Sequence, residues 1–261
     1  DVIVRGMVAV EATFLVFFML LMIGEYGLQP PDVSWARQGL AFGLPLLPGS
    51  MSMFSVHFLD RLIIPRFGTV ADVGVYAFAY SVALMAVNMA TTPLKTIYGN
   101  TAYTYYNEGR HDELRQMCRH ALGSTVAVAL PTTVGLYFLG PALASLLAPE
   151  EFVLAGRLMW IVGLGYLAQA VAKVLRVNIT FKRGSLRVLG LLLFTSLCNL
   201  GLNLLLIPRY GLHGAAWATT AALVAGAVVA AAFAHGDFPL SLDLRPFAWI
   251  VLGAASMAGV M

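Results

Sequence analysis

Charge is what this chain has least of. Of 261 residues, only 16 are Lys or Arg and 13 Asp or Glu, 11% in all, while 59% are hydrophobic and the mean hydropathy is +0.81. An ordinary soluble domain is about a quarter charged, and a water-soluble chain this apolar would have too little polar surface to cover itself. Lipid as the solvent removes that requirement, so the composition indicates a polytopic membrane protein. Cysteine is nearly absent too. Cys118 and Cys198 fall in a charged loop start and an apolar run, which argues against a disulfide and excludes a metal spacing. No nucleophile–base pair, Walker loop or zinc spacing is present, so bond-making chemistry and ATP hydrolysis are not expected, and no cofactor is called for. The net charge of +3 says little about partners, because its distribution among loops carries more information than its sum; no nucleic-acid partner is expected. The chain is apolar almost from Asp1, without a basic n-region or a small-residue cleavage site, so its start is not a signal peptide. It begins and ends inside apolar runs, which reads as an internal or C-terminal piece of a longer protein.

Against that background, long apolar runs punctuated by Pro, Gly and charge predict about eight membrane segments. The first covers about Val2 to Gly24, with Arg5 near its start and Glu11 deeper. Arg5 can snorkel to headgroups, whereas Glu11 must face protein or find a partner. Pro30 and Pro31 interrupt any helix and place a lobe boundary in a linker over residues 25–38. The second segment, about Gly39 to Leu59, carries Pro45 and Pro48, with Ser50, Ser52 and Ser55 available to satisfy the carbonyls that the prolines free. It ends in Asp60-Arg61, expected as a charged tip, before a turn containing Pro65, Arg66 and Gly68. His57 near that end reads either as an interfacial polar residue or as a titratable, ligand-facing one.

The third segment, about Asp72 to Tyr98, contains Lys95 and Pro93. A polar stretch follows whose pattern from Glu108 to His120 predicts a short surface helix. The fourth, about Ala121 to Leu139, is expected to be broken at Pro131. The fifth, about Phe152 to Val177, carries Lys173 and Arg176, three apart and so on one face, and a tight basic turn ends it. In the sixth, about Val188 to Ile207, Asn199 and Asn203 also share a face, either as interhelical hydrogen-bond glue or toward a ligand. The seventh, about Gly214 to Ala234, is built of small residues that let helices approach closely, and an eighth starts near Pro246.

Alternate numbering of the links puts Arg37, Arg110, Arg115, Arg119, Lys182, Arg183, Arg187 and Arg245 on one side and Arg61, Arg66 and Arg209 on the other. The richer side is assigned to the cytoplasm. Ile64-Pro65-Arg66-Phe67-Gly68 is echoed by Ile207-Pro208-Arg209-Tyr210-Gly211 at the outer end of two segments. Either duplication or convergent hairpin chemistry accounts for five shared positions.

The runs L-P-L-L-P-G-S at Leu44 to Ser50, D-R at Asp60-Arg61, V-G-V-Y at Val73 to Tyr76, P-E-E-F at Pro149 to Phe152 and N-L-L-L-I-P-R-Y-G-L-H-G-A-A-W-A-T at Asn203 to Thr219 resemble the polysaccharide-flippase branch of the MOP transporter superfamily. The resemblance covers about Gly39 to Ala234. It implies an all-α fold, a polytopic transmembrane bundle of about eight helices corresponding to the second lobe of a two-lobe transporter. Residues 1–24 would be the last helix of the N-terminal lobe, 25–38 the interlobe linker, 39–235 the C-terminal six-helix lobe and 236–261 the start of a further helix.

The implied activity is movement of a polyprenyl-pyrophosphate-linked oligosaccharide from the inner to the outer leaflet of a bacterial plasma membrane by alternating access. Lipid-linked oligosaccharide and membrane lipids are the implied partners, with a coupling cation, H+ or Na+, also allowed. Cations in a cavity would neutralise the pyrophosphate; the candidates are Arg61, Lys173, Arg176 and Lys95, with Asp60 beside Arg61. Each has a plainer reading: anchoring at the cytoplasmic end for the lysines and Arg176, a hairpin-fixing pair for Asp60-Arg61. Three rivals stand. A cation-coupled drug exporter of the related multidrug branch needs acids deep in its helices, and only Glu11 and Asp60 qualify. A membrane glycosyltransferase or ligase needs a long outer loop, and none is present. A lipid II flippase is the same-class alternative.

Overall fold

The computed structural model describes residues 2–27, 34, 37, 40, 44, 47–183 and 185–237. Almost all of them are helical, and no strand occurs among the described residues. The long helices are α1 (Val2–Tyr26), α2 (Leu47–Phe67), α3 (Val70–Asn107), α4 (His111–Leu147), α5 (Val153–Arg183) and α6 (Ser185–Asp237), with a 3-10 turn at Glu150–Phe152 before α5. Two compact units divide the chain, Asp1–Leu44 and Pro45–Met261. The first contains α1; the second contains α2 to α6 and every candidate site residue. Five helices are long and apolar enough to cross a membrane: α1, α3, α4, α5 and α6. The chain is therefore an all-α, multi-pass membrane protein. The expected eighth helix lies outside the described residues, as does most of the expected linker.

Gly211 divides α6. Its backbone, at φ 55 and ψ −130, lies in a region that a Cβ disfavours, and it bends the 53-residue element into two limbs that match the sixth and seventh expected segments. The residues before it repeat the end of α2. Ile64 and Ile207 are both buried in the same core cluster, Pro65 and Pro208 fall in the last turn before a glycine, and Arg66, Phe67, Arg209 and Tyr210 are exposed.

Several boundaries differ from the sequence reading, each for a physical reason. Helix α2 does not stop at Leu59 but runs through Asp60 and Arg61 to Phe67, because burial of Ile63 and Ile64 rewards two more turns and Pro65 costs least near a helix end. Pro48 does not kink this helix; it stands at its second residue, where the missing N–H has no intrahelical partner to lose. Pro45 lies outside the described residues. The expected serine service to the prolines is replaced by other bonds: the Ser52 hydroxyl donates to the Leu192 carbonyl of α6 at 2.9 Å and Ser55 to Met51 of its own helix, while the Ser50 side chain lies outside the described set. Helix α3 starts at a capping box in which Thr69 Oγ1 accepts from the Asp72 N–H and Asp72 Oδ2 accepts from the Thr69 N–H.

No separate surface helix forms over Glu108 to His120. From His111 onward it is continuous with α4, because Leu114 and Cys118 pack on Ala102, Tyr105 and Tyr106 of α3. Nor does Pro131 break α4. Thr132 and Thr133 donate to the Val128 and Ala129 carbonyls beside it, as hydroxyls do around membrane prolines.

Helix α5 is central, its core residues Leu158, Met159, Val162 and Tyr166 lying among side chains from α2, α3, α4 and α6. It is held against α4 by glycine. A Cβ on Gly156 would lie 2.6 Å from both the Gly140 carbonyl oxygen and Pro141 Cα, so the two backbones touch near the link that joins these helices. On its other side the Thr220 hydroxyl of α6 donates to the Ile161 carbonyl at 2.6 Å. The small residues Ala215, Ala216, Ala218 and Ala222 are fully buried, which gives the second limb of α6 its close fit. Cys118 and Cys198 remain thiols.

Candidate functional site

The basic residues expected to act together come from three helices. Lys95 lies on the later half of α3, and Lys173 and Arg176 on the last third of α5. Lys95 and Lys173, 78 positions apart in sequence, line one cavity of about 460 Å3 bounded by α3, α4 and α5. Its wall also includes Thr91, Tyr98, Tyr103 and Thr125, over an apolar floor of Met117, Ala121 and Val174. No acidic residue lines it among the described residues, and neither lysine has a carboxylate partner there. Lys95 and Arg176 are both close enough to Lys173 for their charges to act on it, so the end of α5 is a concentration of positive charge in a part-buried setting.

Arg176 borders a different and smaller crevice, against Met53, Leu192 and Thr195 of α2 and α6. The expected common face of Lys173 and Arg176 is real at the level of the helix, since residues three apart differ by about 60°. Because α5 is surrounded by neighbours, that small angle is enough to put the two side chains in different hollows.

Arg61 lies in neither hollow. It is not at a tip, since two further turns of α2 follow it. Its Cζ stands 5.1 Å from the Phe58 ring centroid and 5.4 Å from that of Tyr80, which is cation–π geometry. The expected ion-pair-capable dipeptide does not pair in that way. Successive helical side chains diverge by about 100°, and among the described residues no ion pair joins Asp60 to Arg61. Instead Asp60 is fully buried. Its Oδ1 accepts the Arg61 N–H at 2.8 Å, and its Oδ2 faces the buried Tyr76 hydroxyl without a well-aligned hydrogen bond.

Two polar groupings extend from this point. His57, one turn before Arg61, is half-buried, and its Nδ1 sits 2.6 Å from the Tyr80 hydroxyl and 3.1 Å from that of Tyr166. Its ring stacks on Tyr166 at 6.0 Å between centroids. Lys173 and Arg61 are both near enough for their charges to act on His57, so the histidine connects the two basic regions. The second grouping runs through the core. Tyr76 meets the Thr219 hydroxyl at 3.5 Å, the Asn199 amide donates to Thr219 at 3.2 Å, and the Asn203 amide donates to Asn199 Oδ1 at 3.0 Å. Asn199 thus ties the two limbs of α6 together, and Asn203 braces it from one turn away on the same limb.

The sequence reading did not assign Tyr76, Tyr80 and Tyr166 to the site. The spacing of Tyr76 and Tyr80 by four on one helix was an available signal. Tyr166 had none, because it reaches His57 only through the long side chains that α2, α3 and α5 bring together around Tyr80.

The comparisons with known proteins agree with this architecture. A family model described as polysaccharide biosynthesis protein matches residues 3–155, more than half of the chain. A probable low-salt glycan biosynthesis flippase of the archaeon Haloferax volcanii is 19% identical over 234 residues, covering 90% of this chain and 49% of the relative. A probable flippase of the same organism, AglR, is 24% identical over 206 residues, covering 76% of this chain and 40% of the relative. The chain spans about half the length, or less, of these curated relatives. No solved structure matches it. On the strength of a family model that runs from α1 into the start of α5, this helical membrane chain belongs to the polysaccharide biosynthesis protein family.

Proposed function

We propose that the chain forms the second lobe of a flippase that carries a polyprenyl-pyrophosphate-linked oligosaccharide across the plasma membrane by alternating access. The observation that carries this reading is the pairing of Lys95 with Lys173 in one cavity among membrane-crossing helices, with no acid in its lining. Lys95 is exposed and Lys173 half-buried; two ammonium groups on the wall of one cavity repel, and a diphosphate between them relieves that repulsion with charge-assisted hydrogen bonds. Both relatives are named as probable flippases, and the name of one refers to glycan biosynthesis, which supports a glycan cargo. A transporter needs no catalytic constellation, and the reading is accordingly not that of an enzyme. Both relatives are archaeal, so the bacterial inner membrane is one candidate host membrane and an archaeal plasma membrane another.

Within this reading the cations divide by role. Lys95 and Lys173 take the diphosphate, Arg176 adds charge from the adjoining crevice, and Arg61 is fixed against its aromatic neighbours on the path toward the outer face. Asp60 is the remaining candidate, an ionisable group fully buried in the helical core. Its role here is uptake of a coupling cation, H+ or Na+, rather than contact with the cargo.

The test uses the full-length protein. Replacing Lys173 and Arg176 together by Ala abolishes surface glycan while the protein still inserts. Normal glycan display by an inserted double variant overturns the assignment of these residues.

A further inference from the structure

His57 is half-buried, whereas His111, His120 and His213 are all exposed. Its surroundings suit two protonation states. The ring Nδ1 lies 2.6 Å from the Tyr80 hydroxyl and 3.1 Å from that of Tyr166. A hydroxyl donates as readily as it accepts. A bare Nδ1 therefore accepts from these tyrosines and a protonated one donates to them, with no side chain having to move. A carbonyl oxygen in their place, or a guanidinium, would have fixed one state only.

The charges around the ring make the protonated state conditional. On α2 itself Arg61 follows one turn later, and Asp60 lies against Tyr76 of α3. Helix α3 brings Tyr80, and α5 brings Tyr166 and Lys173. Helices α4 and α6 bring no charge that acts on the ring among the described residues. No carboxylate pairs with His57 among the described residues either. An imidazolium here faces two cations and has no counter-ion of its own.

Lys173 also lines the cavity that holds Lys95. An anion seated on these two lysines supplies the missing counter-charge and offsets the repulsion that Lys173 exerts on the ring. That anion therefore favours a proton on His57, and by reciprocity the proton favours the anion.

We infer that His57 is a proton-binding site linked to the anion cavity at Lys95 and Lys173, so that proton and anion are held together and released together. The proton comes from water onto a ring nitrogen and returns to water; no covalent bond of the anion changes. The inference rests on the anion-binding part of the flippase reading. It is separate from the cation assigned to Asp60, and it gives the lobe a second charge that tracks the cargo.

Sulfate is the probe, because it keeps its double charge over the range in which an imidazole titrates, about pH 5 to 8. It is titrated calorimetrically into purified full-length protein in phosphatidylcholine nanodiscs, in buffers of different ionisation enthalpy. Sulfate is expected to bind about tenfold tighter at about pH 5.5 than at about pH 8, with a proton taken up on binding. In His57→Gln the ratio falls to about twofold, the share left to the lysines' own titration, and the proton uptake falls with it. A His57→Gln protein that keeps the full ratio and the full uptake overturns the inference.

A second measurement leaves His57 in place. With every other histidine replaced by Gln, nitrogen NMR follows this ring alone. Sulfate at about pH 7 is expected to move both ring nitrogens toward the imidazolium signature, and no longer to do so in Lys95→Gln with Lys173→Gln. Ring nitrogens that ignore sulfate, or that respond equally without the two lysines, overturn the linkage. Sulfate bound with no proton taken up also overturns it, and leaves the flippase reading standing if glycan display still depends on Lys173 and Arg176. Normal glycan display by a deletion strain, beside proton-linked sulfate binding as expected, removes the flippase reading and leaves the linkage in place.

Discussion

Gly140 and Gly156 bring α4 and α5 into backbone contact: a Cβ on Gly156 would sit 2.6 Å from the Gly140 carbonyl oxygen. Only hydrogen fits there, and no side-chain rotamer can relieve the overlap. Gly156→Ala is expected to lower stability by about 1–3 kcal/mol, the usual cost of overpacking. Gly201 in α6 has nothing within 4 Å of where a Cβ would lie, so Gly201→Ala is expected to be neutral or stabilising by up to about 1 kcal/mol through helix propensity. Thermal midpoints of the two variants in detergent should move in opposite directions or differ by several degrees. Equal midpoints would show that the contact is not under constraint.

The asparagine pair predicts an asymmetry. Asn199 holds both Thr219 and Asn203, whereas Asn203 holds only Asn199. Asn199→Ala therefore breaks two hydrogen bonds and Asn203→Ala one. Membrane hydrogen bonds average about 0.6 kcal/mol with a maximum near 1.7, so Asn199→Ala should cost roughly twice as much. The double variant should cost less than the sum of the singles, since their shared bond is counted once. Unfolding free energies from a double-mutant cycle decide the matter, and strict additivity would mean the two side chains do not communicate.

The grip of two tyrosines on His57 separates hydroxyl from ring. Tyr80→Phe removes the 2.6 Å contact to Nδ1 but keeps the ring that Arg61 rests on; a loss of about 1 kcal/mol is expected. Tyr80→Leu also removes the aromatic face and should cost about 3 kcal/mol or more. Similar losses in the two variants, measured by chemical or thermal unfolding, would show that the ring contributes nothing beyond the hydroxyl.

Orientation is open to direct labelling. In intact cells carrying the full-length protein on a cysteine-free background, Glu150→Cys should react with an impermeant maleimide from outside, and Glu108→Cys only after the membrane is opened. Both residues are exposed at helix ends on opposite sides of the lobe. Reaction of the Glu108→Cys protein in intact cells would reverse the assignment made from loop charge.

The parts of this architecture that were legible in the sequence share one property: the information is local. The apolar runs, the small-residue limb after Gly214 and the face shared by Asn199 and Asn203 all follow from composition or spacing within one helix. Asp60 and Arg61 misled because charge usually marks a helix end in a membrane. Here Ile63 and Ile64 beyond them are buried and carry the helix onward, and Asp60 is itself fully buried, with Tyr76 of α3 beside it. The Lys95–Lys173 cavity and the His57–Tyr166 contact were out of reach, since each depends on how α5 sits among its neighbours and no spacing along the chain encodes that.

The glycine contact has a mechanical consequence. From Gly140 back to Cys118 on the cavity wall is about 33 Å of α4 at 1.5 Å per residue, and both ends of that span are held. Gly140 lies against the backbone of Gly156 in α5, and Cys118, with Leu114, packs on Ala102, Tyr105 and Tyr106 of α3. Widening of the hollow that holds Lys95 and Lys173 therefore carries α3 along with α4, or breaks the cluster at Cys118.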